Sequence, residues 1–281
     1  VKHPPEVTPV AGALGASVTG IDLRSIDIDT FEMIHEAWMR HLVLFFPDQG
    51  LTPAEQRDFA RMFGNLEVHP LTEKLDGTPE VTLLHSERGG RADVWHTDVT
   101  FNESPPIAAI LQHISGPPVG GDTMWSNQYL AFESMSEAMQ SFLRGLTSIH
   151  TAWPQGHPDL KAERPLIIRH PVTGREALAV NRLFTVRIPQ LDQAESDALL
   201  GHLFAWGERP ELSCRWRWSP GDIAIWDNRC TRHYAIGDYE TERVMYRVTV
   251  LGSYAAEDTL VPTLPHHGRT RLSASSAFER R

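Results

Sequence analysis

His96 and Asp98 stand two residues apart in the stretch Asp93-Val94-Trp95-His96-Thr97-Asp98-Val99-Thr100-Phe101. Read as a β-strand, that stretch sends both side chains to one face, because residues i and i+2 project the same way. One imidazole and one carboxylate aimed at a shared point can form half of a metal site. A histidine arriving from far along the chain, His233, would complete a face of two imidazoles and one carboxylate. Such a face suits ferrous iron and leaves positions open for dioxygen and a co-substrate, so the chemistry indicated is oxidation by non-haem Fe(II). The pair by itself does not define a site. The chain has 14 histidines, and a second His-x-Asp, His157-Pro158-Asp159, holds a proline that marks a turn or an edge and reads as a loop. The alternative for His96 and Asp98 is a chance pairing that binds nothing.

A second cluster lies near the other end. Trp216 to Asn228 reads as strand, turn, strand, and leads through Arg229-Cys230-Thr231-Arg232 to His233, which would sit just past a hydrophobic strand at the mouth of a barrel. Arg243 and Arg247 are four apart in the alternating run Arg243-Val244-Met245-Tyr246-Arg247-Val248-Thr249 and share a face if it is a strand. Turned inward, two guanidiniums would need anionic partners, because a buried cation is costly unless paired. Carboxylates and sulfonates are the natural partners for an arginine fork. Turned outward, the same pair would simply be solvated.

These residues need elements to carry them. Residues 14–23 alternate like a strand pair with glycine turns. A helix is expected over 29–41, with Asp29 or Thr30 as its cap. Residues 42–46, Leu-Val-Leu-Phe-Phe, form a short apolar run suited to a buried strand. Thr52-Pro53-Ala54-Glu55 has the capping-box pattern of a helix start, with the helix running to about Phe63. Strands are expected at 81–85, 107–113, from 123, 166–169, 177–180, 214–218, 222–226 and 243–251, and helices over 127–145 and 192–206. A glycine-containing loop spans 88–91. Residues 151–164, punctuated by proline and glycine, read as a mobile loop over the site. Many short strands with turn signals, and helices that do not alternate strictly with them, argue for a mainly β fold with flanking helices, a jelly roll. One domain over residues 1–255 is expected, with a polar tail over 256–281.

Composition excludes several classes. With 281 residues, 41% hydrophobic and 22% charged, the chain has the makeup of a soluble globular protein. No run approaches the ~18 apolar residues of a membrane span, and no signal-peptide core opens the chain, so no membrane partner is expected. The formal charge of −10 argues against nucleic acid and requires any anionic ligand to be held by locally concentrated arginines. Two cysteines, Cys214 and Cys230, give neither a disulfide framework nor a zinc pattern and fit a reducing, cytoplasmic compartment. The acidic surface and paired helices are compatible with a homo-oligomer.

Taken together, Trp95-His96-Thr97-Asp98-Val99-Thr100-Phe101, Gly120-Gly121-Asp122-Thr123, and Trp226-Asp227-Asn228-Arg229 followed by His233-Tyr234-Ala235 resemble the 2-oxoglutarate-dependent taurine dioxygenases, a group that includes alkylsulfatase and aryloxyalkanoate dioxygenases. The likeness runs from about Pro9 to Gly252. It implies a double-stranded β-helix, the cupin-like jelly roll, with Fe(II) held by His96, Asp98 and His233. It implies that 2-oxoglutarate is a co-substrate bound by Arg243 and Thr123, that O2 is consumed, and that a small acidic substrate is hydroxylated next to its heteroatom. The positions matching the family's substrate contacts are His69, Val99, Phe184 and Arg247. Two positions depart from the taurine pattern. Thr72 stands where those enzymes carry tyrosine, and Ala92 where they carry asparagine. The segment between His150 and Leu166 is also shorter, with Trp153 as a replacement wall. Loss of two polar contacts implies a less polar substrate than taurine, because a pocket cannot select an amine it has no groups to receive. A related oxygenase, or an anion-binding jelly roll without catalysis, is the alternative; the carboxylate at Asp98 disfavours a halogenase.

Overall fold

A computed structural model of the chain describes residues 4–68, 74–86 and 92–252. His69, Thr72, the loop at 88–91 and the tail from 256 therefore lie outside the described residues. The main sheet has eight strands in the order Glu6–Pro9, Ala16–Thr19, Val43–Phe46, Ile223–Asp227, Ala108–Ser115, Val244–Val250, Thr78–His85 and Lys74–Leu75. All neighbours run antiparallel except Ala16–Thr19 beside Val43–Phe46. The apolar run at 42–46 has the environment its composition demands. Leu44 and Phe46 pack into one core cluster, Val43 and Phe45 into another, so the strand is buried on both faces.

The first face is covered by the helices Ile28–His41 and Pro53–Arg61, whose Ile34, Trp38, Phe59 and Ala60 join the core. The second face is covered by a three-stranded sheet, Ser213–Trp216, Thr123–Asn127 and Thr231–Ala235, in that order. Trp125 of the small sheet lies between Phe45 and Trp226 of the large one, at ring-centroid distances of 5.3 and 5.8 Å. Two sheets face to face with helices outside are the mainly β jelly roll expected from the sequence.

The caps explain the helix starts. Thr52 and Glu55 form the reciprocal capping box, with Pro53 at the first turn. The first helix begins at Ile28, and its cap is Asp27, whose carboxylate accepts the Thr30 N–H at 2.9 Å, not Asp29 or Thr30. The helical pattern over 127–145 divides into Gln128–Glu133 and Glu137–Leu143, with Ser136 capping the second. Serines in this stretch offer the backbone an alternative to continued helix.

Three sequence expectations change. The N-terminal strand pair is Glu6–Pro9 with Ala16–Thr19, so its first member lies upstream of residue 14. His233 does lie past the hydrophobic strand Ile223–Asp227, but within a further strand, Thr231–Ala235, that the sequence did not signal. Residues 151–164 form no irregular loop. They belong to a hairpin of Thr147–Ala152 and His157–Pro165, turned through Trp153–Gln155 and Gly156 at φ +82°. Pro158 is accepted because its strand is the outer one of a three-stranded sheet.

Outside the sandwich, Gln128–Glu133, Glu137–Leu143 and Gln193–Gly207 gather a third core around Phe132, Leu200 and Leu203. Gly207 ends the long helix against the fully buried Arg232. A Cβ there would lie 2.7 Å from Arg232 Nη1 and 2.8 Å from Gln128 Oε1. Gly207→Ala should therefore cost about 2 kcal/mol through overpacking, read as a lowered denaturation midpoint with unchanged m-value.

Candidate active site

The stretch around His96 and Asp98 is not a strand. It carries one isolated bridge, His96 with His233, and enters a turn at Asp98. That bridge does the positioning. The His96 N–H donates to the His233 carbonyl at 3.0 Å and the His233 N–H to the His96 carbonyl at 2.7 Å. Directly opposed residues of an antiparallel pair project to the same side, and the two imidazoles lie 4.0 Å apart between centroids. The Thr97 hydroxyl donates to the Thr231 carbonyl at 2.9 Å and extends the attachment by one residue. Asp98 Oδ1 then lies 3.8 Å from His96 Nε2 and 3.7 Å from His233 Nε2. The turn at Asp98 thus gathers the carboxylate to the two imidazoles without the strand that the spacing suggested.

The donor set fits a divalent cation. One ligand atom from each of the three buried residues lies within 4.8 Å of the others. His96 Nδ1 donates to the Val94 carbonyl at 2.7 Å, which leaves the Nε2 lone pair aimed at the shared point. Burial, joined at His233 by the neighbouring His96, pushes both imidazoles below their ordinary value, His233 to about 3. Neutral imidazoles with free lone pairs are the form a metal accepts.

Both arginines turn inward. Arg247 Nη1 lies 3.4 Å from Asp98 Oδ1, and its Nε is buried without a hydrogen-bond partner. Arg243 reaches the other side, where its Nη2 donates to Thr123 Oγ1 at 3.4 Å and its buried Nε also lacks a partner. Thr123 Oγ1 accepts a second bond, from Trp218 Nε1 at 3.0 Å. Within the small sheet His233 pairs with Trp125, so His233 and Thr123 share a face. Burial lowers the Arg243 pKa, opposed in part by Tyr239 and Asp122 beside it. Orphaned guanidinium nitrogens beside a threonine hydroxyl suit the distal carboxylate of a keto diacid.

The glycine pair before Thr123 has a physical reading that composition did not disclose. Gly120 and Gly121 adopt φ of +86° and +71°. A Cβ on Gly121 would lie 3.2 Å from Arg243 Cδ, and one on Gly120 would lie 2.7 Å from the Asp238 carbonyl. The pair lets backbone pass close to the arginine stem.

The apolar side of the site is a small cluster of Phe101, Ala152 and Phe184 with Val99 and Leu183 packed on it. Phe101 and Phe184 meet edge to face at 5.0 Å. Phe184, at 2% exposure, backs Val99 from behind. Trp153, expected as a replacement wall, stands 70% exposed in the hairpin turn and forms no wall. The hairpin instead contributes Arg164, whose guanidinium takes the carbonyls of Thr100, Asn102 and Glu103. Ala92 brings no polar side chain, only a carbonyl that accepts the Ala235 N–H.

A second buried group, His170, Asp227 and Cys230, also meets the spacing for a metal. Its chemistry argues otherwise. Asp227 is gripped by both Nε and Nη2 of Arg229 and accepts from His170 Nε2 at 3.0 Å. His170 Nδ1 accepts the Val172 and Thr173 N–H groups. Burial alone would raise the Asp227 carboxyl, but Arg229 and His170 outweigh it and hold the pKa low. Burial pushes the Cys230 thiol up, away from the thiolate a metal needs. This is a structural ion pair at the root of the His233 strand.

A jelly roll with two imidazoles and one carboxylate at its mouth, and two arginines turned in beside them, defines the non-haem iron oxygenase class. Residues 6–249 match the taurine catabolism dioxygenase TauD, TfdA family, and the chain belongs to that family. It is 37% identical to an alkylsulfatase of Acinetobacter baylyi, over 86% of this chain and 84% of the relative. It is equally 37% identical to an alpha-ketoglutarate-dependent sulfate ester dioxygenase of Pseudomonas putida, over 88% and 89%. A solved taurine dioxygenase from Burkholderia xenovorans superposes with a TM-score of 0.82 at 36% identity, covering 89% of this chain and 91% of that one. The protein is accordingly an Fe(II)- and 2-oxoglutarate-dependent dioxygenase that consumes O2 and a small organic substrate.

Proposed function

We propose that this dioxygenase oxidises a small sulfate ester at the carbon bearing the sulfate oxygen. One observation carries the reading: Arg247 faces the same point as His96, Asp98 and His233, and the apolar group of Val99, Phe101 and Phe184 adjoins it. That arrangement suits an anionic head on an apolar chain. The absence of a polar side chain at Ala92 and the two sulfate-ester relatives support the same substrate. Sulfonates and aryloxy acids are the neighbouring possibilities, since each offers the same anionic head.

In this reading His96, Asp98 and His233 hold the iron. Bound there with 2-oxoglutarate, Fe(II) supplies the oxidising power of O2, with the keto acid leaving as succinate and CO2. Arg243 and Thr123 hold the distal carboxylate of 2-oxoglutarate. Arg247 holds the sulfate, joined by His69 from outside the described residues, and Val99 and Phe184 exclude water from the reacting carbon. Oxygen insertion into the C–H bond gives a carbon bearing both hydroxyl and sulfate. That carbon loses sulfate as the hydroxyl proton departs, leaving an aldehyde. One O2 and one 2-oxoglutarate are consumed per ester.

The test is a panel of alkyl sulfates, alkyl sulfonates and aryloxy acids scored by succinate release. Alkyl sulfates should be turned over best, and a clear preference for taurine would overturn the assignment. Arg247→Ala should raise KM for the anionic substrate ~30-fold or more, the cost of a charge-assisted bidentate pair, with a smaller effect on KM for 2-oxoglutarate. Equal loss on both would mean that the two arginines have exchanged roles.

The compartment we propose is the cytoplasm, since Cys214 and Cys230 are buried free thiols. Among the described residues no helix is long and apolar enough to cross a membrane. The charge of −10 favours neither nucleic acid nor an anionic membrane surface as a partner. A homo-oligomer is the assembly we propose, to be tested by sedimentation.

A further inference from the structure

The carboxylate at Asp98 is delivered by a turn that its own residues do not favour. Val99 has φ +53°. A β-branched residue in the left-handed region is a genuine outlier, and such strain persists only where surrounding contacts enforce it. Within the turn, the Asn102 N–H donates to the Val99 carbonyl at 3.0 Å. The stronger restraint comes from Asn228, which is 1% exposed. Its Oδ1 accepts the Asp98 N–H at 2.9 Å, and its Nδ2 donates to the Asp98 carbonyl at 3.1 Å and to the Pro106 carbonyl at 2.9 Å. The backbone N–H of Asn228 is fixed on the Ile107 carbonyl at 2.9 Å.

A side-chain amide that takes both the N–H and the C=O of one residue reproduces a rung of a β-ladder. It does so where backbone pairing runs out, two residues beyond the His96–His233 bridge. We propose that Asn228 is a positioning residue for the metal-binding carboxylate, holding the Asp98 backbone so that Val99 stays left-handed and the carboxylate stays turned toward the two imidazoles. The proposal rests on Asp98 being a ligand. Without the clamp, Val99 relaxes to negative φ and the carboxylate rotates away from His96 and His233.

The test uses the full chain, stripped of metal, and reads Mn(II) affinity by the EPR signal of free Mn(II), with thermal melting of the apo form alongside. Asn228→Ala should weaken Mn(II) at least tenfold. Val99→Gly, which occupies positive φ without strain, should change affinity less than threefold alone and recover much of the loss in the Asn228→Ala background. A residue that merely stabilises the fold would lower the apo melting temperature without that rescue. If Asn228→Ala does not fold, Asn228→Asp, which keeps the Oδ1 acceptor but drops both Nδ2 donations, should weaken Mn(II) in the same direction. Wild-type affinity in a folded Asn228 variant, or a loss that Val99→Gly leaves untouched, overturns the proposal. Failure of the unsubstituted protein to bind Mn(II) would instead overturn Asp98 as a ligand.

Discussion

His233→Ala is expected to reduce turnover by a factor on the order of 10³ or more while leaving the apo fold intact. On the proposed assignment of His96, Asp98 and His233 as ligands, losing one of the three removes both the affinity for the ion and the fixed open face it presents, several kcal/mol of barrier lowering. The fold should survive because the imidazole contributes little to it. His233 is buried, its Nδ1 has no hydrogen-bond partner, and its strand is held by backbone bonds that the substitution keeps. The ring contacts with His96 and Trp226 that are lost with the imidazole cost a modest share of the stability, not the fold. The measurement is succinate release together with thermal melting with and without Fe(II) under anaerobic conditions. The unsubstituted protein should gain melting temperature on adding the ion, by mass action, and His233→Ala should not. Asp98→Ala should behave differently in the apo form, because it also removes the partner of Arg247, so its melting temperature should fall further than that of His233→Ala. Full iron-dependent turnover in either variant would remove the site from these residues.

Arg243→Ala should raise KM for 2-oxoglutarate by ~100-fold, about 3 kcal/mol, with kcat at saturating co-substrate much less affected. If Arg243 holds the co-substrate as proposed, loss of its guanidinium leaves the distal carboxylate desolvated and unpaired, which costs about 2–5 kcal/mol. Thr123 cannot compensate, because one hydroxyl that already accepts from Trp218 supplies a single weak bond. Arg243→Lys should recover only part of the loss, since an ammonium lacks the planar fork. A titration of the visible absorption of the anaerobic Fe(II)–2-oxoglutarate complex separates this binding defect from any change in chemistry. Unchanged affinity for 2-oxoglutarate would assign its carboxylate elsewhere.

What sequence alone could convey follows from how local each determinant is. The helix at Pro53–Arg61 was legible because Thr52, Pro53 and Glu55 carry its whole start signal within four residues. The strand Val43–Phe46 was legible because burial on both faces leaves an unbroken apolar run. His96, Asp98 and His233 were legible as residue types, and Arg243 and Arg247 as a pair four apart on one face, but whether that face turned inward or toward solvent was left open by their spacing. The support of these residues was not legible. Residues 93–98 look like a strand, yet the pairing that would make them one comes down to a single bridge, followed by a side-chain amide from Asn228. No periodicity marks a ladder completed by a side chain. The hairpin at 147–165 was hidden for the opposite reason. Its outer strand, His157–Pro165, is polar and exposed along most of its length, the composition of a loop. Gly120 and Gly121 were recognisable as a turn, but their purpose depends on an arginine stem contributed from beyond residue 240.

The reciprocal backbone bonds between His96 and His233 join positions 137 apart in sequence (233 minus 96). Contacts that close so much chain form late, after the entropy of the intervening loop has been lost to other pairings. Iron should therefore find no competent cradle on a nascent or collapsed chain. Its capture would be a maturation step that follows sandwich closure, and the rate of metal uptake during refolding would report when the two ends of the barrel mouth first meet.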